Sequence, residues 1–214
     1  MTLLDMVFRG GWVMIPIAVC SLLALFVVIE RWITLNRLRT NTRMFVLQLK
    51  NLLLKNQAGE AITLCKKTPG PIAKIARAGL ERMSRPRQEI KEAIESAGKT
   101  EVYHLEKYLG MLATVASVAP ALGFLGTVTG MIQAFMQVQQ LGGNVDASVL
   151  AGGIWEALIT TAAGLIVGIP AIICYNWIVG KVERFVFEME EASTELLDTV
   201  LRGEKEGVRA FANQ

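Results

Sequence analysis

Apolar residues in this chain gather into three long blocks from which charge is almost absent. The first is GWVMIPIAVCSLLALFVVI over 11–29, bounded by Arg9 and by Glu30-Arg31. The second lies in the uncharged stretch 108–145, between Lys107 and Asp146. The third is ALITTAAGLIVGIPAIICYNWIVG, 24 residues (157–180) that end at Lys181. A helix needs ~20 consecutive apolar residues to cross a hydrocarbon core ~30 Å thick, so each block predicts a membrane-spanning helix.

The segments between them read as shorter helices. RMFVLQLKNLLLK over 43–55 is apolar at helical spacing, with Lys50 and Lys55 on the other side. A second short helix is predicted over 58–66. Thr68-Pro69-Gly70-Pro71 breaks the chain, a third helix runs over 71–84, and Pro86 is placed to open the next. From Arg87 the pattern runs on to Gln140. Ile90, Ile94, Ala97, Glu101, His104, Tyr108, Met111 and Val115 recur at alternating steps of four and three, the period of a helix–helix seam. One continuous helix over this range would be ~80 Å long at 1.5 Å per residue, so part of it must leave the membrane. Past Lys181, the residues Val182, Val186, Met189, Ser193, Leu196 and Val200 carry a similar seam. The fold class predicted is an all-α membrane protein with three transmembrane helices, two of them long and extending into the cytoplasm.

Charge sets the topology. Residues 31–107 hold 16 of the 22 Lys and Arg, and 181–214 hold five. Only Arg9 precedes the first span, and the loop between spans two and three has none. Basic loops stay in the cytoplasm. The layout is then an outer N-terminus (1–10), transmembrane helix 1 (11–30), a cytoplasmic helical region (31–107), transmembrane helix 2 (108–140), a short outer loop (141–147), transmembrane helix 3 (148–180), and a cytoplasmic C-terminal helix and tail (181–214). Trp12 at the outer end, and Trp32 and Trp177 at the inner ends, suit interfacial belts. The first span reads as a retained anchor, since no small-residue cleavage site precedes its charged flank.

Composition narrows the function. The chain is 52% hydrophobic with a mean hydropathy of +0.42, too apolar for an ordinary soluble domain. The net charge of +3 needs no nucleic acid, because basic residues beside spans orient the protein and meet anionic membrane lipids. Cys20, Cys65 and Cys174 imply no disulfide framework, and a single histidine, His104, excludes a histidine-built metal site. No cofactor is expected. No nucleophile–base pair appears, which leaves an intramembrane enzyme using Glu156 as base a weak reading.

Candidate chemistry centres on Glu156, the only charge between Asp146 and Lys181. A carboxylate within a membrane helix costs at least ~2.5 kcal/mol and marks an ion or proton path by default. Thr160 and Thr161 follow it, and Thr160 is at i+4 on its face. With the hairpin turn near Asn144, Thr127 and Thr161 are equally far from the turn, ~25 Å down each helix. Glu156 lies one to two turns nearer the outside. Gly126 with Gly130, and Gly164 with Gly168, are small-xxx-small pairs suited to close helix packing. Pro120 and Pro170 each free a carbonyl that lipid cannot satisfy, which places both helices inside an assembly.

ALGFLGTVTGMIQAF, followed after a short loop by GGIWEALITTAAGLIVGIPAIICYN, resembles the MotA/TolQ/ExbB proton-channel family, in its ExbB/TolQ branch. The likeness is strong over about 110–180, and the three spans and basic first loop agree with it. Departures are Gly152-Gly153 ahead of the glutamate turn and Trp155 where the family has a small residue. The resemblance implies a homopentamer around a central pore in the bacterial inner membrane, with span one facing lipid. The pore would hold an ExbD/TolR-like single-span protein carrying a protonatable Asp. Proton flow would turn one component against the other and energise a TonB-like protein for outer-membrane transport. Thr127, Glu156 and Thr161 match the family's functional positions, with rings of threonine hydroxyls facing the partner's Asp. A TolQ-like or gliding-motor stator subunit, and a non-conducting membrane scaffold, remain the alternatives.

Overall fold

The computed structural model describes residues 11–38, 42–55, 57–140 and 147–212, with side chains described except at 147–150 and 200–212. The outer N-terminus, most of the outer loop and the side chain of Val200 lie outside the described residues. Seven helices are seen among the described residues. They are α1 (Met14–Arg37), α2 (Thr42–Leu54), α3 (Ala58–Lys67), α4 (Pro71–Leu80), α5 (Arg87–Glu106), α6 (Leu109–Gln140) and α7 (Ala147–Ala212). Three stretches are long and apolar enough to cross a membrane, as expected for an all-α membrane protein. By contacts the chain divides into two compact units, Met1–Arg31 with Tyr108–Ile178, and Trp32–Lys107 with Val179–Gln214.

The first unit is a hairpin of α6 and α7 with the start of α1 against it. Its seam is made of small residues. Leu112, Val115, Ala116, Ala119, Gly123, Gly126, Gly130 and Ala134 are buried along one stripe of α6, mostly at steps of three or four. Facing them on α7 are Gly153, Ala157, Thr160, Gly164 and Gly168. The approach is backbone to backbone. A Cβ on Gly164 would stand 2.5 Å from the Ala119 carbonyl oxygen and 2.9 Å from Gly123 Cα, and one on Gly123 would stand 2.9 Å from the Thr160 carbonyl oxygen. Without a hydrophobic drive in lipid, such close van der Waals contact is what holds membrane helices together. Pro120 is absorbed in the same seam. Its ring fills the space over Gly168, and the Ala116 carbonyl, which Pro120 deprives of its helical donor, faces that glycine. Pro170 lies within α7 on an exposed surface. The outer faces of the hairpin are apolar, with Phe124, Ile132, Phe135, Leu158, Ile166 and Ile173 all more than half exposed.

Span one is not wholly given to lipid. Its face carrying Ile15, Leu22, Leu25 and Phe26 is exposed, but Val13, Met14 and Ile17 form a buried cluster with Ile159 of α7. Leu122, Ala163 and Val167 pack against that cluster.

The helix expected over 87–140 is interrupted. Lys107 has ψ 133° and Tyr108 has φ +66°, so α5 ends at Glu106 and α6 begins at Leu109. A left-handed non-glycine residue costs ~1–2 kcal/mol. Here the Arg31 guanidinium lies 5.7 Å from the centre of the Tyr108 ring and Phe26 meets that ring edge-on at 6.3 Å. Tyr108 is exposed, and a cation over an exposed ring contributes about 0.5–1 kcal/mol, which offsets part of the strain. Arg31 is buried and also ion-paired with Glu30 at 2.5 Å. The break shifts the seam. The buried positions after Glu101 are Leu105, Leu109 and Leu112, so the predicted seam positions His104, Tyr108 and Met111 fall outside the buried stripe.

The second unit is built from α2 to α5 and the C-terminal part of α7. Neighbouring helices α2–α3, α3–α4 and α4–α5 pack in sequence order. Gly70 at φ +122° and Pro71 at the first helical position open α4. That helix ends at Leu80, four residues short of the predicted end, and its chain continues in short-range bonds from the Arg82 and Met83 amides to Gly79 and Leu80. Leu49, Ile75, Ile90 and Cys65 lie in the core; of the predicted seam of α7, Val182, Met189 and Leu196 are buried and Val186 and Ser193 half-buried. Glu101 is nearly covered, and Lys74 donates to both of its oxygens at 2.9 Å. Burial pushes the Cys65 thiol up to about 11, against a smaller pull from Arg77. The Arg77 guanidinium, hydrogen-bonded to Glu81 at 2.7 Å, holds that carboxyl below its ordinary range.

Candidate functional site

The glycine seam brings α6 and α7 so close that polar side chains on it meet the opposite backbone. Thr127 and Thr161 do so at one depth. Their hydroxyls hydrogen-bond each other across the hairpin. Thr127 Oγ1 is also 3.1 Å from the Ala157 carbonyl oxygen on α7, and Thr161 Oγ1 is 3.2 Å from the Gly123 carbonyl oxygen on α6. Thr127 keeps a further, longer contact of 3.3 Å to Gly123 on its own helix. Both threonines are half-buried. The expected equal depth of the two is therefore present in the hairpin. Its cause is the register of the seam, in which each step along α6 away from the turn is matched by a step along α7.

Thr160 takes a different place from its neighbour. It is 1% exposed and lies under Gly126, where an added Cβ would collide with its side chain. Its hydroxyl donates to the Ala157 carbonyl at 2.8 Å, on its own helix. The i+4 spacing from Glu156 suggested a shared polar stripe, yet Thr160 fills the seam, opposite the gap that Gly126 leaves. Thr129, the second threonine of GTVTG, likewise bonds carbonyls of its own helix, Leu125 and Gly126, at 3.1 Å.

Glu156 is half-buried and turns towards the start of α1. Gly11 there has φ +66°, and a Cβ built on it would overlap Glu156 Oε1 and stand 3.3 Å from Cδ. This neighbour was not found from sequence. The available signal was the Gly10-Gly11 pair ahead of the first span, which local pattern alone cannot connect to a residue on the third span.

The site thus contains two hydroxyls able to donate and accept, carbonyls of both helices, and a carboxylate further towards the turn. Such a set can pass protons or orient a charged group. Among the described residues, no group of His, Cys, Asp and Glu is arranged to hold a metal ion.

Comparison with known proteins gives this geometry a context. Residues 67–191 match the model of the MotA/TolQ/ExbB proton channel family. An ExbB homolog of Methanothermobacter thermautotrophicus is 31% identical over 190 residues, covering 88% of this chain and 67% of that protein. The biopolymer transport protein ExbB of Neisseria meningitidis serogroup A is 30% identical over 199 residues, covering 82% of this chain and 86% of that protein. The Tol-Pal system protein TolQ of Haemophilus influenzae is 46% identical over 86 residues, 39% of this chain and 36% of that protein.

Proposed function

The chain belongs to the MotA/TolQ/ExbB proton channel family, and from that premise we propose that it is the proton-channel subunit of an inner-membrane motor. The motor converts proton motive force into mechanical work. Five copies surround a central pore, with the N-terminus outside and the C-terminus in the cytoplasm. An ExbD/TolR-like single-span partner occupies the pore, and a TonB-like protein receives the work for outer-membrane transport. The observation that carries this reading is the Thr127–Thr161 hydroxyl pair, held at one depth by a glycine seam. Repeated around a ring, that pair presents a band of groups that can donate to or accept from an acidic residue of the partner. Glu156 lies nearer the outer loop and exchanges protons with the outer side.

Energetics support the assignment. Each charge crossing 100 mV releases about 2.3 kcal/mol. A five-fold ring around a pore partner of different symmetry has near-equivalent orientations, and a few kcal/mol suffices to bias steps among them. A TolQ-like role is the second reading, favoured by the higher identity to TolQ over the matched segment. It shares the channel chemistry and differs in the partner energised.

The test uses Thr127→Val, Thr161→Val and Glu156→Gln in cells with the partner subunit. Valine keeps the β-branched shape without the hydroxyl, and glutamine keeps the size without the charge. The expected result is normal complex formation with loss of proton-motive-force-dependent uptake. Full uptake in all three variants would refute the proton path and leave a scaffold.

A further inference from the structure

We propose that Gly11 is a positioning residue that seats the Glu156 carboxylate, so that the turn leading into α1 forms one wall of the proton-exchange site. The proposal rests on the reading of Glu156 as a proton-exchanging group. It assigns a role to a span that the sequence reading left to lipid.

Three observations converge on it. Gly11 sits at φ +66°, a backbone region that L side chains rarely adopt. Among the described residues, the space a side chain would take at Gly11 is filled by the end of one side chain, that of Glu156, at Oε1 and Cδ. The turn is also fixed in place. The Met14 amide donates to the Gly11 carbonyl at 3.3 Å, and Val13, Met14 and Ile17 are buried with Ile159, three residues along α7 from Glu156. Glycine at this position therefore answers two demands, a left-handed turn and room for a carboxylate. Either demand alone would tolerate other residues, since asparagine accepts the turn and alanine would fit a roomier neighbour. Anchored in this way, α1 sets where the carboxylate stands and how far it is covered.

The experiment is a double-mutant cycle in membranes carrying the full chain with its partner subunit. Gly11→Ala, Glu156→Asp and the double variant are compared with the parent. Two readouts are taken: the rate at which a hydrophobic carbodiimide modifies residue 156, followed by mass spectrometry, and proton-motive-force-dependent uptake. Gly11→Ala should push the carboxylate off its seat, raising the modification rate at least fivefold and lowering uptake at least tenfold, with assembly unchanged. Aspartate is one methylene shorter and vacates the space. In that background Gly11→Ala should change the modification rate less than twofold. Equal modification in Gly11→Ala and parent, or the same fold-change in both backgrounds, overturns the proposal. A changed rate with unchanged uptake supports the seat and instead refutes Glu156 as a proton-path residue. Should Gly11→Ala fail to accumulate, Gly11→Asn, which tolerates the turn but fills the space, gives the same two readouts under the same criteria.

Discussion

Adding one methyl group at Gly164 tests the hairpin directly. Its Cβ would stand 2.5 Å from the Ala119 carbonyl oxygen, 2.9 Å from Gly123 Cα and 3.1 Å from Gly123 N. All three obstacles are backbone, so no side chain can swing aside, and restoring ordinary contact requires α6 and α7 to part by roughly 1 Å, which forfeits a quarter to a half of each affected dispersion contact. Overpacking of this kind costs about 1–3 kcal/mol. The same parting stretches the Thr161 contact to Gly123 from 3.2 Å, and the Thr127 contact to Ala157 from 3.1 Å, beyond hydrogen-bonding range. Interhelical hydrogen bonds in membranes average about 0.6 kcal/mol each. Gly164→Ala should therefore destabilise the hairpin by roughly 2 kcal/mol: about 2 for packing and about 1 for two bonds, less the about 0.5–1 that replacing a helical glycine gains. Gly152→Ala is the control. Among the described residues nothing lies within 4 Å of a Cβ there, and replacing a helical glycine gains about 0.5–1 kcal/mol. The assay is thermal unfolding in mild detergent with hydrogen exchange over 123–127 and 157–164. Equal midpoints for the two variants would refute backbone-to-backbone packing at Gly164.

Three further outcomes are expected. At Tyr108 the usual helix ranking should invert: Tyr108→Gly should be more stable than Tyr108→Ala by about 1 kcal/mol, because alanine keeps the left-handed strain and loses the ring; alanine proving the more stable in thermal unfolding would mean that the helix runs through. Glu101→Gln should destabilise the second unit by about 1 kcal/mol by weakening its bonds to Lys74, whereas Glu101→Leu with Lys74→Met should be neutral, as checked by denaturant melts. The Cys65 thiol keeps its proton to about 11 in the fold and ionises near 9.0 when unfolded, so its contribution is complete below pH 9 and is lost as pH rises towards 11; against Cys65→Ala, the parent should lose up to about 2 kcal/mol across that window, and parallel pH–stability curves would refute the burial of this group.

Long-period features were legible in the sequence, and contacts between distant segments were not. The three spans follow from uncharged length alone. The shared depth of Thr127 and Thr161 follows from equal rise on both arms of a hairpin, and the small-xxx-small pairs announced the seam that realises it. The turn at Lys107–Tyr108 left no trace, because neither residue is glycine or proline and the ring contacts that stabilise it come from Phe26 and Arg31. The i+4 rule put Thr160 on the face of Glu156 and could not show that Gly126 opens a gap for it. Gly11 meets Glu156 only because α1 docks beside α7, and helical periodicity within either segment carries no information on that docking.

The threonine pair has a consequence in its count of hydrogens. Two hydroxyls bring two protons to a chain that ends on a carbonyl at either side. If Thr127 donates to Thr161, Thr161 must donate onward to Gly123. If Thr161 donates to Thr127, Thr127 donates onward to Ala157. Both arrangements satisfy every donor, and they differ only in the rotation of two O–H bonds. The pair is thus a small dipole with two opposite settings and no heavy-atom motion between them. A charge placed nearby would favour one setting over the other, and the pair can switch between them without loosening the seam that holds it.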